Sequence, residues 1–365
     1  MYPTRVLSVF LLAALTLSAE PAAKMSASLQ PGKAALKSAG PLAFGPEGIL
    51  FVGDFMGASI FALDTADTKA AKPASLDLAG IDQKIAALIG TTADQILIND
   101  MAVNSISRRA YFSVSRGRGP DGTPVIVRTA GAGNLEILSL DNIRHSSVGL
   151  PNSPAMDAKD RRGTSLRLEA ITDIGYAEGN VIVAGLSNEE FSSNLRSIPF
   201  PFKEASAGAS VEIFHSQHGR FETNSPVRTF TTYDIQKQPH LLAAYTCTPL
   251  VKVPLSDLQP GKKIKGVTIA ELGNRNRPLD MIVYKKGGAE FILMNNSSRG
   301  VMKLPAAKLE SYEAITAQTE KKGIPYETIE SLKGVEQLDR FDDANALMLI
   351  RSEGGSVDLK TVALP

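Results

Sequence analysis

Residues 40–64 carry the pattern that decides the fold, and they begin with Gly40-Pro41-Leu42-Ala43-Phe44-Gly45-Pro46-Glu47-Gly48-Ile49-Leu50-Phe51-Val52-Gly53-Asp54. A short apolar run is followed by a turn that contains Gly and Pro, and then by a second apolar run. A third run, Ile60-Phe61-Ala62-Leu63-Asp64, follows a polar loop. Short apolar runs bounded by turn residues are typical of β-strands. The stretch therefore predicts a unit of three short strands.

The same unit recurs along the chain. Further copies begin at residues 100, 169, 228, 280 and 335, about fifty to seventy residues apart. Repeats of this length are typical of propeller blades, in which radial repetition protects the sheet edges. The last copy ends after its third strand, and residues 34–37 are expected to supply its outer strand. We predict an all-β, six-bladed β-propeller of four-stranded blades; dividing residues 199–232 gives seven blades as the alternative.

The first copy resembles the NHL-type repeat, and its pattern is similar to that of the gluconolactonase, paraoxonase and strictosidine-synthase-like six-bladed propellers. The resemblance covers residues 30–363 as architecture. This architecture hosts hydrolases, lyases, oxidoreductase subunits and binding modules, so it does not specify an activity. For the lactonase branch the resemblance implies a calcium ion on the channel axis, held by an acid that opens the first blade and by Asn and Asp from later blades. Here the first blade opens with Gly40-Pro41, without an acid.

The N-terminus has the features of an export signal. Arg5 is the only charged residue before an apolar run over residues 6–17, and Leu17-Ser18-Ala19 offers a cleavage site ahead of Glu20. A short apolar run that ends in small residues is typical of a signal peptide. We predict a signal peptide over residues 1–19, a single propeller domain over residues 20–365, and a periplasmic or secreted protein without a stable membrane span after cleavage. An uncleaved N-terminal anchor is the alternative.

Composition limits the classes of function. The chain has 365 residues, with 39 Lys+Arg against 38 Asp+Glu, so no basic excess is present to bind nucleic acid. A single cysteine, Cys247, excludes an intrachain disulfide framework and a cysteine-rich zinc module. The sequence also lacks a phosphate-binding Gly-rich loop, a Gly-x-Ser-x-Gly nucleophile elbow and a His-Glu-x-x-His zinc motif. A small polar molecule or a partner protein is the expected partner.

Polar residues at equivalent places in the repeat mark a candidate site. In a blade, the entry to the innermost strand and the loop between the second and third strands lie on the same face of the ring. The predicted ligand-binding residues on this face are Asp54, Asp100, Arg116, Glu169, Asn188, Arg277, Asp280 and Asn295. A divalent metal such as calcium prefers oxygen ligands from several segments, which makes Glu169, Asn188, Asp280 and Asn295 the candidate ligands. Alternatively, each acid caps its own blade by accepting backbone hydrogen bonds.

A second candidate metal site lies in Phe214-His215-Ser216-Gln217-His218-Gly219. Imidazoles are common ligands of zinc, copper and iron. On an extended strand, positions three apart point to opposite faces, so His215 and His218 bind one ion only if the two residues between them form a turn. The only thiol, Cys247, is interpreted as a metal ligand, an attachment point, a nucleophile or an inert buried residue.

These observations favour an exported propeller that binds a polar or anionic small ligand, or a partner protein, through its axial face. The arginines on that face motivate the anionic ligand. A metal-dependent lactone or ester hydrolase of the gluconolactonase type is the first alternative, with a carbonyl polarised by the metal. A propeller subunit of an exported oxidoreductase is the second, suggested by Cys247 and by the histidine pair.

Overall fold

The structure is a computed structural model that describes residues 24–71, 75–247 and 249–365. The predicted signal peptide, residues 1–19, lies outside these residues. Within the described ranges, no helix has both the length and the apolar character that crossing a bilayer requires. In the described part of the chain, one α-helix, α1 (Ile81–Leu88), accompanies 27 strands.

The strands succeed one another along the chain, joined by turns and by short 3-10 helices. The first nine are β1 (Gln30–Gly32), β2 (Leu42–Phe44), β3 (Ile49–Asp54), β4 (Ser59–Asp64), β5 (Ile96–Val103), β6 (Ala110–Arg116), β7 (Thr123–Thr129), β8 (Leu135–Leu138) and β9 (Ile143–Gly149). The next nine are β10 (Asp173–Ala177), β11 (Asn180–Leu186), β12 (Ser193–Pro199), β13 (Ala209–His215), β14 (Arg220–Glu222), β15 (Val227–Ile235), β16 (Gln238–Tyr245), β17 (Pro249–Pro254) and β18 (Lys263–Lys265). The last nine are β19 (Val267–Glu271), β20 (Pro278–Lys286), β21 (Ala289–Asn296), β22 (Gly300–Pro305), β23 (Lys322–Gly323), β24 (Glu327–Thr328), β25 (Val335–Arg340), β26 (Asn345–Arg351) and β27 (Val357–Ala363).

These strands form six sheets among the described residues, which are the six blades of a propeller. From the inside outwards, blade 1 has the order β2-β3-β4-β9-β1, blade 2 has β5-β6-β7-β8, and blade 3 has β10-β11-β12-β13-β14, with β18 alongside β13. Blade 4 has β15-β16-β17-β19-β23, blade 5 has β20-β21-β22-β24, and blade 6 has β25-β26-β27. The prediction of six blades is confirmed. Residues 199–232 do not form a seventh, because β13 and β14 extend blade 3.

The blades do not follow one another around the ring in chain order. The inner strands contact each other in the order β5, β2, β10, β15, β20 and β25, and β25 contacts β5. Blade 1 therefore lies between blades 2 and 3, and blade 2 closes the ring against blade 6. After completing blade 2, the chain returns to blade 1 and adds β9 next to β4. Blades 1 and 2 thus stand in the ring in the reverse of their order along the chain.

Apolar residues fill each interface between neighbouring blades. The described residues form six buried clusters, and each joins two blades that are adjacent in the ring. The cluster between blades 2 and 6, for example, contains Ile85 of α1 together with Phe112 and Leu359, all of them fully buried. Burial of apolar surface at every interface holds the wheel together. The alternation along inner strands leaves the other side chains free to face the axial channel.

The prediction that residues 34–37 complete the last blade is wrong. The preceding strand β1 pairs with β9 on the outside of blade 1, and Ala34 donates its backbone N–H to Leu140. Blade 6 is extended instead by Leu78, which exchanges two backbone hydrogen bonds with Leu359 of β27. The physical reason is the exchanged order of blades 1 and 2. The connection from blade 1 to blade 2 passes the outer edge of blade 6 and contributes this single bridge, so blade 6 has three strands among the described residues.

Candidate functional site: an acidic axial channel

Four aspartates from four inner strands face the axial channel. They are Asp100 on β5, Asp173 on β10, Asp280 on β20 and Asp339 on β25, and we call them the aspartate ring. Each carboxylate accepts a hydrogen bond from a backbone N–H on the inner strand of the next blade. The donors are Leu42 to Asp100 at 2.7 Å, Phe230 to Asp173 at 2.8 Å, Leu338 to Asp280 at 3.1 Å and Val103 to Asp339 at 2.7 Å. The aspartates therefore connect blades as well as lining the channel.

The local sequence explains why these carboxyl groups face inwards. Asp100, Asp173 and Asp280 are each followed by an apolar residue that is buried between blades, namely Met101, Ile174 and Met281. Because side chains alternate across a strand, burial of the second residue directs the aspartate to the other side, towards the axis. Asp339 follows buried Leu338 and obeys the same alternation.

Burial and mutual repulsion raise the pKa values of the ring. The four side chains are half-buried, because the channel reaches them although protein surrounds each carboxyl group. Burial raises the pKa of Asp173 to about 7 and that of Asp339 to about 6. Burial is also the main cause of the raised pKa values of Asp100 and Asp280, and the negative charges of the other ring members raise them further. At neutral pH the ring is therefore costly to ionise without a positive partner.

No positive side chain of the described residues forms an ion pair with the ring, although the charge of Arg340 partly opposes the rise in the pKa of Asp339. Within those ranges, none of the four carboxylates forms an ion pair with Lys, Arg or His. Two nearby arginines bind other acids, since Arg228 pairs with Glu169 and Arg340 pairs with Asp343. The negative charge of the ring is thus left for a ligand to balance.

Cavities open from the ring towards both ends of the channel. The larger has a volume of about 460 Å³ and lies at the ends where the inner strands leave the channel; we call it the exit cavity. Phe44, Phe230 and Ile282 give it apolar walls, and Arg108 and Arg340 lie among its lining residues. A smaller cavity of about 150 Å³ lies where the inner strands begin, and Arg228, Arg277 and Glu336 help to line it. The exit cavity has the size of a small-molecule site.

The residues predicted from the sequence divide into two groups. Asp100, Asp280 and Arg277 line the channel, and Glu169 lies at the smaller cavity through its ion pair with Arg228. The remaining four are absent from the residues that line either cavity: Asp54, Arg116, Asn188 and Asn295. Asp54 is buried and accepts hydrogen bonds from the backbone of Lys37, Ser38 and Gly57, as a capping role requires. Arg116 and Asn188 are exposed.

The calcium site implied by the lactonase resemblance does not fit this arrangement. Of its predicted ligands, Asn188 is exposed, Glu169 is neutralised by Arg228, and Asn295 lines neither of the two cavities. The first blade contributes Leu42, whose side chain has no ligand atom, and no three carboxylates of the ring have oxygens within 4.8 Å of one another. A calcium ion needs several oxygens at about 2.3–2.6 Å, which places neighbouring ligand atoms closer together than that.

Sequence reasoning missed Asp173 and Asp339. The sequence indicates that the third copy of the repeat begins at Glu169, because the apolar residues Ala170 and Ile171 follow it. Both are buried, but the inner strand begins four residues after Glu169. Glu169 lies in a 3-10 turn that precedes β10. Asp339 follows the apolar residues of the sixth copy, beyond the strand entry at which acids are expected. An alignment of the repeats on an Asp followed by a large apolar residue would have found the inner strands, since this pair occurs as Asp100-Met101, Asp173-Ile174 and Asp280-Met281.

The histidine pair lies apart from the channel, on the outer hairpin formed by β13 and β14. His215 and His218 come together there with Glu222, whose carboxylate accepts a hydrogen bond from each. Cys247 has a free thiol on a partly exposed turn, with φ of 63°.

Comparisons with known proteins add structural neighbours only. No family model matches the sequence, and no curated protein matches it. Among solved structures, a chain of the mitotic checkpoint complex is 8% identical, with 99% of each chain covered and a TM-score of 0.39. The aldose sugar dehydrogenase of Streptomyces coelicolor, in its PQQ-bound form, is 10% identical, with 92% of this chain and 96% of that chain covered and a TM-score of 0.34. A putative oxidoreductase (glucose dehydrogenase) of Thermus thermophilus is 11% identical, with 92% and 100% covered and a TM-score of 0.35.

Proposed function

We propose that this propeller is a binding protein that holds a small organic cation in its axial channel. The observation that carries the proposal is the aspartate ring, in which Asp100, Asp173, Asp280 and Asp339 face one channel without an ion pair among the described residues. An ammonium group placed at the ring balances the negative charge and donates up to three hydrogen bonds. It also removes the repulsion that raises the pKa values of the ring.

The walls of the exit cavity specify the rest of the ligand. Phe44, Phe230 and Ile282 offer apolar surface next to the ring, which suits an aromatic or alkyl body attached to the amine. The ring favours a cationic ligand over the anionic one that the arginines suggested. Of the four arginines that line the two cavities, Arg228 and Arg340 are paired with acids. Arg108 and Arg277 form no ion pair among the described residues, but the four carboxylates of the ring outnumber them.

Three molecules of one shape test this proposal. Benzylamine, benzyl alcohol and benzoate share an aromatic body and differ in charge, and calorimetric titration at pH 8 measures the affinity of each. We expect benzylamine to bind at least about tenfold more tightly than benzyl alcohol, because a charged hydrogen bond contributes about 1.5–3 kcal/mol. Benzoate should not bind. Equal affinity for all three, or tightest binding of benzoate, would contradict the proposal.

The proposed family and the two alternative functions differ in how much support they have. Membership of the NHL or gluconolactonase-like propellers stays a proposal based on the repeat in residues 40–64. The hydrolase alternative loses its support, since the implied calcium ligands do not converge. The oxidoreductase alternative has no observation in the channel that favours it over binding.

Export is also proposed, on the basis of the apolar run over residues 6–17 and the cleavage site at Ala19. Expression of the complete chain in a bacterial host, followed by N-terminal sequencing of periplasmic or secreted protein, tests it. We expect the mature chain to begin at Glu20. Recovery of the chain from the membrane fraction with residues 1–19 intact would indicate the uncleaved anchor instead.

A further inference from the structure

The outer hairpin of blade 3 brings two imidazoles and a carboxylate into contact. His215 ends β13, residues 216–218 form a 3-10 turn, and Gly219 has φ of 62°, which allows the chain to reverse into β14. His215 itself has an extended backbone and precedes the turn, which brings His218 back towards it. His215 and His218 therefore face each other, with ring centroids 4.1 Å apart. The turn between the two histidines, which a shared metal ion requires, is thus present.

Glu222 joins the two rings from the returning strand. Its Oε2 lies 2.8 Å from Nδ1 of His215, and its Oε1 lies 2.7 Å from Nδ1 of His218. Ligand atoms of these three residues all lie within 4.8 Å of one another, and no other group of His, Cys, Asp and Glu in the described residues is as compact. The carboxylate thus lies between two nitrogen donors in a geometry that suits metal binding.

The surroundings of His215 contain two buried polar atoms that have no hydrogen-bond partner among the described residues. His215 is 3% exposed, and its Nε2 is buried without a hydrogen-bond partner among the described residues. Glu271, on the neighbouring β19, is 1% exposed and has a buried Oε2 that is likewise unpartnered. Unsatisfied buried polar atoms are costly, so two beside one cluster call for an explanation.

We propose that His215, His218 and Glu222 bind a divalent transition metal ion of the zinc class. Two imidazoles and one carboxylate are a ligand set that zinc accepts, with bonds of about 2.0–2.2 Å. Tetrahedral coordination places such ligand atoms about 3.3 Å apart, so the present contacts of 2.7 and 2.8 Å need to widen by only about half an ångström. The ion takes the place of the hydrogens that now link Glu222 to Nδ1 of the two imidazoles, and each neutral imidazole then carries its hydrogen on Nε2.

The outer side of the cluster is open. The side chain of His218 is 48% exposed, whereas those of His215 and Glu222 are almost completely buried. A metal held by three protein ligands here has its fourth position towards solvent. Nε2 of His215 and Oε2 of Glu271 are not hydrogen-bonded to each other in the structure, and a hydrogen bond formed between them on metal binding would orient that ligand. The site is independent of the aspartate ring and of the ligand proposed for the channel.

Zinc titration of the full-length chain tests this proposal. After treatment with a chelator and dialysis, calorimetry with zinc alone measures stoichiometry and affinity, and cobalt(II) absorption reports the coordination number. We expect one tight zinc site per chain and visible absorption typical of four-coordinate cobalt. His218→Ala should weaken zinc binding at least about tenfold without unfolding the protein, because that side chain is largely exposed.

The chain offers matched controls. His145 and His240 are its other two histidines, and neither is near this hairpin, so His145→Ala and His240→Ala should leave zinc affinity unchanged. Glu222→Gln keeps the shape of the side chain and should also lose the site. If that variant does not fold, His218→Ala decides the question alone. Absence of saturable zinc binding, or equal affinity in wild type and His218→Ala, would mean that Glu222 serves only to hold two imidazoles.

Discussion

Asp280→Asn is expected to make the protein more stable at pH 8 while weakening its binding of benzylamine by at least about tenfold. Asp280 is surrounded by protein, and its pKa is raised by burial and then by the charges of Asp100 and Asp173. Asparagine has nearly the same shape, and its carbonyl oxygen still accepts the hydrogen bond from Leu338. The substitution therefore removes a destabilising charge without removing the contact between blades 5 and 6.

The expected gain is about 1–3 kcal/mol in the free energy of unfolding, or a few degrees in Tm. Affinity for benzylamine falls because its ammonium group loses one charged hydrogen-bond acceptor, the carboxylate of Asp280. Urea unfolding and calorimetric titration measure the two effects. Asp234→Asn is the matched control, since Asp234 lies on inner strand β15 but is exposed at its outer end. A variant that is destabilised and binds normally would show that Asp280 has a structural role only.

The second large effect is a loss of stability between pH 5 and pH 8 in the absence of ligand. A carboxyl group whose pKa is higher in the folded than in the unfolded state stabilises the fold while it remains protonated. That contribution is complete below the unfolded value of about 3.9 and is lost as the pH rises through the folded value. For Asp339 and Asp173 the folded values are about 6 and about 7, so the loss falls within this window.

One unit of pKa difference corresponds to about 1.4 kcal/mol, so we expect the free energy of unfolding to fall by several kcal/mol over this range. Asp173→Asn should remove much of the slope. Glu271, with a pKa of about 7, contributes in the same direction, and Glu271→Gln separates its share. Benzylamine should restore stability at pH 8 more than at pH 5, because it binds the ionised ring. A stability that rises from pH 5 to pH 8 without ligand would contradict the assigned pKa shifts.

The sequence contained enough information for the blades but not for their arrangement. Alternating apolar residues and turns specify each three-stranded unit, as in residues 40–64, because they determine which face of a sheet is buried. Blade order depends on long-range packing, such as that of β9 against β4, which leaves no local signal. The exchange of blades 1 and 2, and with it the role of Leu78 at the edge of blade 6, was therefore beyond sequence reasoning.

The candidate site was predictable in part for the same reason. Asp100 and Asp280 follow from the repeat, because each precedes a buried methionine on an inner strand. The sequence favours Glu169 over Asp173 because apolar residues follow Glu169, as they would at the start of a strand, although Glu169 ends a 3-10 turn. The contact between His215 and His218 depends on the 3-10 turn over residues 216–218, which the sequence of this segment does not predict.

The central claim is that four aspartates share one channel without a positive partner among the described residues. Titration of aspartate side-chain carboxyl carbons by NMR, in protein labelled selectively at that carbon, tests it most directly. We expect at least two resonances to titrate near pH 6–7, and Asp173→Asn and Asp339→Asn to remove one each. If every aspartate titrates below about pH 5, the carboxylates are not held in a buried channel without a positive partner, and the account is wrong.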